Sequence, residues 1–156
     1  MKRKVLVIGS NSFSGSTFVK FLLEKEFQVV GISRSPEEYR SLLPHLWSKN
    51  LNDYQFKQFD LNNDLAEIAA YIKNEKFEII YNFAAQSMVG ESWSIPEDWI
   101  RTNVYSLSSL IKQLVNFDFL ERYIHITTPE VYGSTENWIS ESCSYNPSTP
   151  YAVSRA

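Results

Sequence analysis

From Lys4 to Ile8 the chain is a continuous apolar run, and it opens directly into Gly9-Ser10-Asn11-Ser12-Phe13-Ser14-Gly15. An apolar run bounded by turn residues is what a parallel strand covered on both faces requires. A helical pattern follows, with Phe18, Phe21, Leu22 and Val19 as its inner stripe ahead of Glu24-Lys25-Glu26. Then comes a second apolar run, Gln28-Val29-Val30-Gly31-Ile32-Ser33. Strand, helix and strand inside about thirty residues make a βαβ unit, and the link between its strands is a crossover. The expected class is α/β, a doubly wound parallel sheet with helices on both faces.

A glycine loop at the first βα junction is the usual cradle for a dinucleotide. Backbone N–H groups at the helix start face the pyrophosphate, and glycine lets the main chain come close to it. Taken alone, the loop is equally a plain strand-to-helix turn. Its place in a βαβ unit favours the cradle, with Gly9, Asn11, Ser12, Phe13 and Gly15 as candidate cofactor residues. At the end of the second strand an acidic residue would bind the ribose 2′-hydroxyl of NAD. This chain has Ser33-Arg34-Ser35 there. The serine does not repel a 2′-phosphate and Arg34 can pair with one, so NADP is favoured, with NAD as the alternative.

Further along, residues 36–52 read as a short helix and loop, with His45 on the surface. Tyr54 to Lys57 reads as a third strand, and Asp60 as a helix cap or turn residue ahead of the stripe Leu65, Ile68, Ala69 and Ile72. Ile79 to Ser87 reads as a fourth strand leaving into a small-residue loop. Residues 91–119 form the longest helical region, entered at Pro96, with Ile100, Val104, Leu107, Leu110, Ile111 and Leu114 periodic beyond it. A buried Asn103 bonded to backbone is expected. His125 reads as a hydrogen-bonded core residue of a central strand.

Composition narrows the function classes. A length of 156 residues with 44% hydrophobic content suits one domain with a packed core. A net charge of −3 gives no electrostatic case for nucleic acid or an anionic membrane surface. The lone Cys143 fits a reducing compartment. Met1-Lys2-Arg3-Lys4 has the charge of a signal-peptide start, but Val5 to Ile8 is too short for its core. A cytoplasmic, soluble protein is expected. No Cys/His cluster supports a metal site.

The last thirty residues carry the chemistry. Thr127-Thr128-Pro129-Glu130-Val131-Tyr132-Gly133 follows the strand-like run Tyr123-Ile124-His125-Ile126, and Pro150-Tyr151-Ala152-Val153-Ser154-Arg155 follows about twenty residues later. A hydroxyl at a strand end, with a tyrosine and a cation four residues apart on one helix face, suits general acid–base work on an alcohol. The cation favours the tyrosinate. With the dinucleotide-binding beginning, the chain resembles the extended short-chain dehydrogenase/reductases, and within them the sugar-nucleotide epimerase/dehydratase branch. The resemblance covers all of residues 1–156 and implies a Rossmann-type NAD(P)-binding domain, the N-terminal half of an enzyme roughly twice as long. The rest would finish the catalytic helix and add the sugar-binding domain.

The resemblance assigns the remaining roles. Thr128 and Tyr151 match the family's Ser/Thr and Y-x-x-x-K signature, and Arg155 stands where lysine is expected. Ser12 takes the middle place of a G-x-x-G-x-x-G loop. Asp60 and Leu61 would contact adenine, while Phe83, Ala84 and Ala85 would pass beside the cofactor's ribose and diphosphate. Tyr151 and Arg155 would also meet the cofactor, and Ser87 would face the sugar. Asn103 matches the family's T-N-V. Glu130 sits where 4,6-dehydratases carry the base that removes the carbon 5 proton. Pro129 replaces the aspartate of the deoxythymidine-diphosphate-glucose enzymes, a substitution closer to the GDP-mannose type, which uses NADP. The implied activity is nucleotide-sugar 4,6-dehydration on a nucleotide-hexose by a homodimer. An epimerase or a UDP-glucuronate-type decarboxylase is the runner-up, and an inactive dinucleotide-binding relative the non-enzymatic alternative.

Overall fold

The structure, a computed structural model, describes residues 2–37 and 39–156. Met1 of the charged start and Glu38, inside the segment expected to be helix and loop, lie outside the described residues. Two compact units emerge. One takes in the chain up to Ala84 together with Ser109–Ile126, and the other Ala85–Ser108 with Thr127–Ala156.

The first unit is built on five parallel strands: β1 (Lys4–Ile8), β2 (Gln28–Ser33), β3 (Tyr54–Gln58), β4 (Ile79–Asn82) and β5 (Arg122–His125). Their order is β3-β2-β1-β4-β5. Successive strand residues point to opposite faces, and β1 is apolar throughout because both faces are covered. Val5 and Val7 join Val19, Leu22 and Leu23 of α1 (Phe13–Glu24) on one face. Leu6 and Ile8 join Ile68 and Ile72 of α2 (Leu65–Glu75), and Leu110 and Leu114, on the other. The expected class, a Rossmann-type doubly wound α/β sheet, is the one found.

Several local expectations change. Phe21 is 49% exposed, and Leu23 fills the inner stripe in its place. Residues 36–52 hold one-turn 3-10 helices at Arg40–Leu42, Pro44–Trp47 and Leu51–Asp53. His45, expected on the surface, is 0% exposed: its turn packs against α1, and its ring is hydrogen-bonded to Glu37 eight residues away. Asp60 is a turn residue, not the cap: its carboxylate accepts from Asn62 N–H and Asn63 Nδ2, and Asp64 stands at the start of α2. Among the described residues β5 pairs only with β4, so His125 lies on an edge strand.

In the second unit α3 (Pro96–Ile100) begins with proline at its first turn, as expected. A π-helical segment, Arg101–Ser106, separates it from α4 (Leu107–Leu114). That wider turn shifts the inner face. Trp99, Asn103 and Ser106 are buried, while Ile100 and Val104, expected inside, are exposed. No helix among the described residues is long and apolar enough to cross a membrane.

Candidate functional site

In the first unit the strand order reverses between β1 and β4, and ligands of open α/β sheets bind outside the carboxyl ends of the strands at such a point. Gly9 leaves β1 there with φ +83°, and a Cβ on it would lie 2.6 Å from the Ala84 nitrogen and 2.8 Å from the Phe83 carbonyl carbon. Only glycine fits both the angle and the space. Gly15 is equally constrained, since a Cβ there would meet the Gly9 carbonyl and lie 2.7 Å from Ser12 Oγ. Ser12 closes the loop: its hydroxyl donates to the Gly9 carbonyl at 2.8 Å and accepts from Gly15 N–H at 3.0 Å, capping α1.

Thus the serine in the middle glycine place is turned into the loop's own bonding. The side chain of Phe13 is 90% exposed beside this helix start. These close main-chain approaches, at the N-terminus of a twelve-residue helix, fit a dinucleotide pyrophosphate. On the other side of the switch, buried Asn82 donates to Tyr123 Oη and accepts from Ala84 N–H, fixing the exit of β4.

The loop after β2 is also anchored. The buried Ser33 hydroxyl accepts from Asn11 N–H at 2.9 Å, and Asn11 Nδ2 donates to the carbonyls of Ser35 and Pro36. Gln58 Nε2 donates to the Arg34 carbonyl, while the Arg34 side chain is exposed. Leu61 is buried in the core beside Ile68, and the Asp60 carboxylate is held in its own turn.

The second unit collects the acid–base residues. Thr128 precedes a one-turn 3-10 helix, Pro129–Tyr132, and its Oγ1 accepts from Glu130 N–H at 3.3 Å. Both residues are half-buried. α5 (Pro150–Arg155) starts at a Thr149 cap, whose hydroxyl accepts from Ala152 N–H, and carries Tyr151 and Arg155 four residues apart. Tyr151 is half-buried and Arg155 only 9% exposed. Thr127 Oγ1 donates to the Arg155 carbonyl, joining the strand exit to this helix.

Asn103, buried as expected, bonds both backbone groups of Gln86 and donates to Ser154 Oγ, which in turn donates to the Tyr151 carbonyl. Ser92 Oγ accepts from Tyr151 N–H at 3.1 Å. A depression of about 580 Å³ is lined by Thr127, Thr128, Pro129, Tyr132, Glu141 and Cys143, among others, but by neither Glu130 nor Tyr151. Ser87 is exposed. Sequence reasoning missed Thr127, Ser92 and Ser154 as supports of α5; only Ser154, three residues after Tyr151, carried a usable spacing signal.

A parallel sheet with a glycine loop at its switch point defines the dinucleotide-binding Rossmann class. The family model for GDP-mannose 4,6 dehydratase matches residues 6–156, and the chain belongs to that family, within the sugar-nucleotide epimerase and dehydratase branch of the extended short-chain dehydrogenase/reductases. GDP-mannose 4,6-dehydratase of Yersinia enterocolitica is 29% identical over 161 residues, which cover 98% of this chain and 43% of that protein. Human dTDP-D-glucose 4,6-dehydratase is 30% identical over 156 residues, 99% of this chain and 44% of that one. Among solved structures, DesIV, a dTDP-glucose 4,6-dehydratase from Streptomyces venezuelae with NAD bound, superimposes with a TM-score of 0.82 at 28% identity, covering 97% of this chain and 48% of that one. The chain spans less than half the length of the curated relatives it matches.

Proposed function

We propose that this chain is the cofactor-binding and proton-transfer portion of an NADP-dependent nucleotide-sugar 4,6-dehydratase. The observation that carries the reading is the Thr128–Glu130 pair, a hydroxyl and a carboxylate held together by one turn at the end of β5. The names of the similar curated proteins support it.

The roles follow from the side chains. Gly9, Ser12 and Gly15 shape the loop that would receive the pyrophosphate, and Arg34 would pair with a 2′-phosphate. When bound, the nicotinamide supplies hydride chemistry, taking the hydrogen of sugar carbon 4 and returning one at carbon 6. Tyr151 takes the proton of the carbon 4 hydroxyl, with the Thr128 hydroxyl as hydrogen-bonding partner. The Arg155 guanidinium keeps positive charge near the phenolate at every working pH. Once carbon 4 is a ketone the carbon 5 hydrogen is acidic, and Glu130 is a strong enough base to remove it. Pro129 cannot donate a proton, so the same glutamic acid protonates the hydroxyl that leaves carbon 6 as water. The protein would act in the cytoplasm on a nucleotide-hexose and pair as a homodimer through its α4 region.

The test uses the full-length gene product containing this sequence, with NADP or NAD and a panel of nucleotide-hexoses. Loss of one water from one sugar, abolished in Glu130→Gln, is the expected result. Loss of carbon dioxide from a glucuronate would move the assignment to a decarboxylase. An unchanged mass with inverted stereochemistry would make it an epimerase, and cofactor binding without turnover an inactive relative.

A further inference from the structure

At the edge of the first unit a part-buried polar cluster lies against the loop after β2. Glu37 Oε1 accepts two hydrogen bonds, each 2.7 Å, one from the Tyr54 hydroxyl and one from His45 Nε2. His45 is fully buried and its ring sits edge-on to Tyr54, with centroids 4.7 Å apart. The Tyr54 hydroxyl reaches this point by passing over β2 at Gly31. A Cβ at Gly31 would run into that hydroxyl and would lie 2.6 Å from Ser10 Oγ. Burial, and after it the hydrogen bond and charge of Glu37, push the Tyr54 phenol upward, so it stays a donor at all working pH values.

Glu37 is the first acidic residue after β2, four positions beyond Ser33. An acid in this region would hydrogen-bond a ribose 2′-hydroxyl and repel a 2′-phosphate. Here the carboxylate is folded inward, while the Arg34 side chain, three residues earlier, is exposed. We propose that Tyr54 and His45 are positioning residues for cofactor selection: by binding Glu37 inside the unit they withdraw its charge from the loop surface and leave Arg34 to set the preference for a 2′-phosphate. This inference rests on the proposed dinucleotide binding and deepens it. Asn11 and Gln58, which anchor residues 34–36 by backbone bonds, keep Arg34 in place when Glu37 is released.

The test is a double-mutant cycle in the full-length protein, with Kd for NADPH and NADH measured by fluorescence titration and folding followed by Tm. Tyr54→Phe frees one bond of Glu37 and is expected to lower the NADPH-over-NADH preference roughly five- to tenfold. Glu37→Gln alone, with no charge to release, leaves the preference unchanged, and Tyr54→Phe combined with Glu37→Gln restores it. A structural role alone would lower Tm in Tyr54→Phe without moving the ratio, or would leave the double variant no better than the single one; either result overturns the inference. Should Tyr54→Phe fail to fold, His45→Leu removes the other donor and is read in the same cycle. A wild type that binds neither dinucleotide overturns the functional reading itself, and a wild type that prefers NADH overturns the assignment to Arg34; both take the inference down with them.

Discussion

The hydroxyl of Thr127 donates a 2.9 Å hydrogen bond to the carbonyl of Arg155. Thr127, one residue before Thr128, is thereby tied to the helix that carries Tyr151.

Thr127→Val keeps the shape of the side chain and removes this bond. It is expected to cost about 1 kcal/mol of stability and roughly tenfold in kcat, because misplacement of the reacting groups lowers turnover steeply. Dinucleotide affinity, to which Tyr151 and Arg155 of the same helix are expected to contribute, falls as well. Steady-state kinetics beside a titration with NADPH check both halves; an unaltered kcat would show that the bond does not position α5.

Asn103 satisfies both backbone groups of Gln86 and donates to Ser154 Oγ. Asn103→Ala leaves buried polar groups without partners and is expected to destabilise the protein by about 2–4 kcal/mol. The denaturant midpoint reports it. A shift near zero would mean that water replaces the amide.

Gly9→Ala asks an L-residue to adopt φ +83° with its Cβ 2.6 Å from the Ala84 nitrogen. The combined strain exceeds about 2 kcal/mol and moves the β1 and β4 exits apart. Loss of NADPH binding together with a lowered Tm is expected. Wild-type affinity in Gly9→Ala would contradict the close approach.

Tyr54 gives a pH signature. Its phenol titrates above the ordinary value of 10.0 in the folded protein, through burial first and Glu37 second. Below that value both states hold the proton and the stabilisation is fully present. Above it the unfolded chain releases a proton that the folded chain keeps, so stability falls as pH rises, by at most about 1.4 kcal/mol per pH unit. Thermal unfolding between about pH 8 and pH 11 should fall more steeply for wild type than for Tyr54→Phe. Parallel curves would refute the assignment.

Much of this was legible because certain residue types answer a single demand. The unbroken run Val5 to Ile8 needs two covered faces, and it has them. Pro96 opens α3 because its missing N–H is no loss there. The glycines at the switch point are forced by backbone angle and space. Other features depend on contacts no local pattern encodes. His45 sits in a polar segment, and its burial comes from its turn packing against α1 beside Glu37 and Tyr54. Ile100 and Val104 are periodic on paper, but Trp99, Asn103 and Ser106 carry the inner face around the wide turn at Arg101–Ser106. Phe21 and Leu23 both suit the inner face of α1, and only packing against the sheet chooses between them.

The most direct measurement follows the hydrogen of sugar carbon 4. GDP-mannose and dTDP-glucose deuterated at that carbon are given to the full-length protein with its dinucleotide, and the product is read by mass and NMR. The account predicts a 4-keto-6-deoxy product, lighter by one water, with the deuterium at carbon 6 and the hydrogen at carbon 5 drawn from solvent. Deuterium found only at carbon 4 of a sugar of unchanged mass would contradict it and leave Glu130 without the role of base.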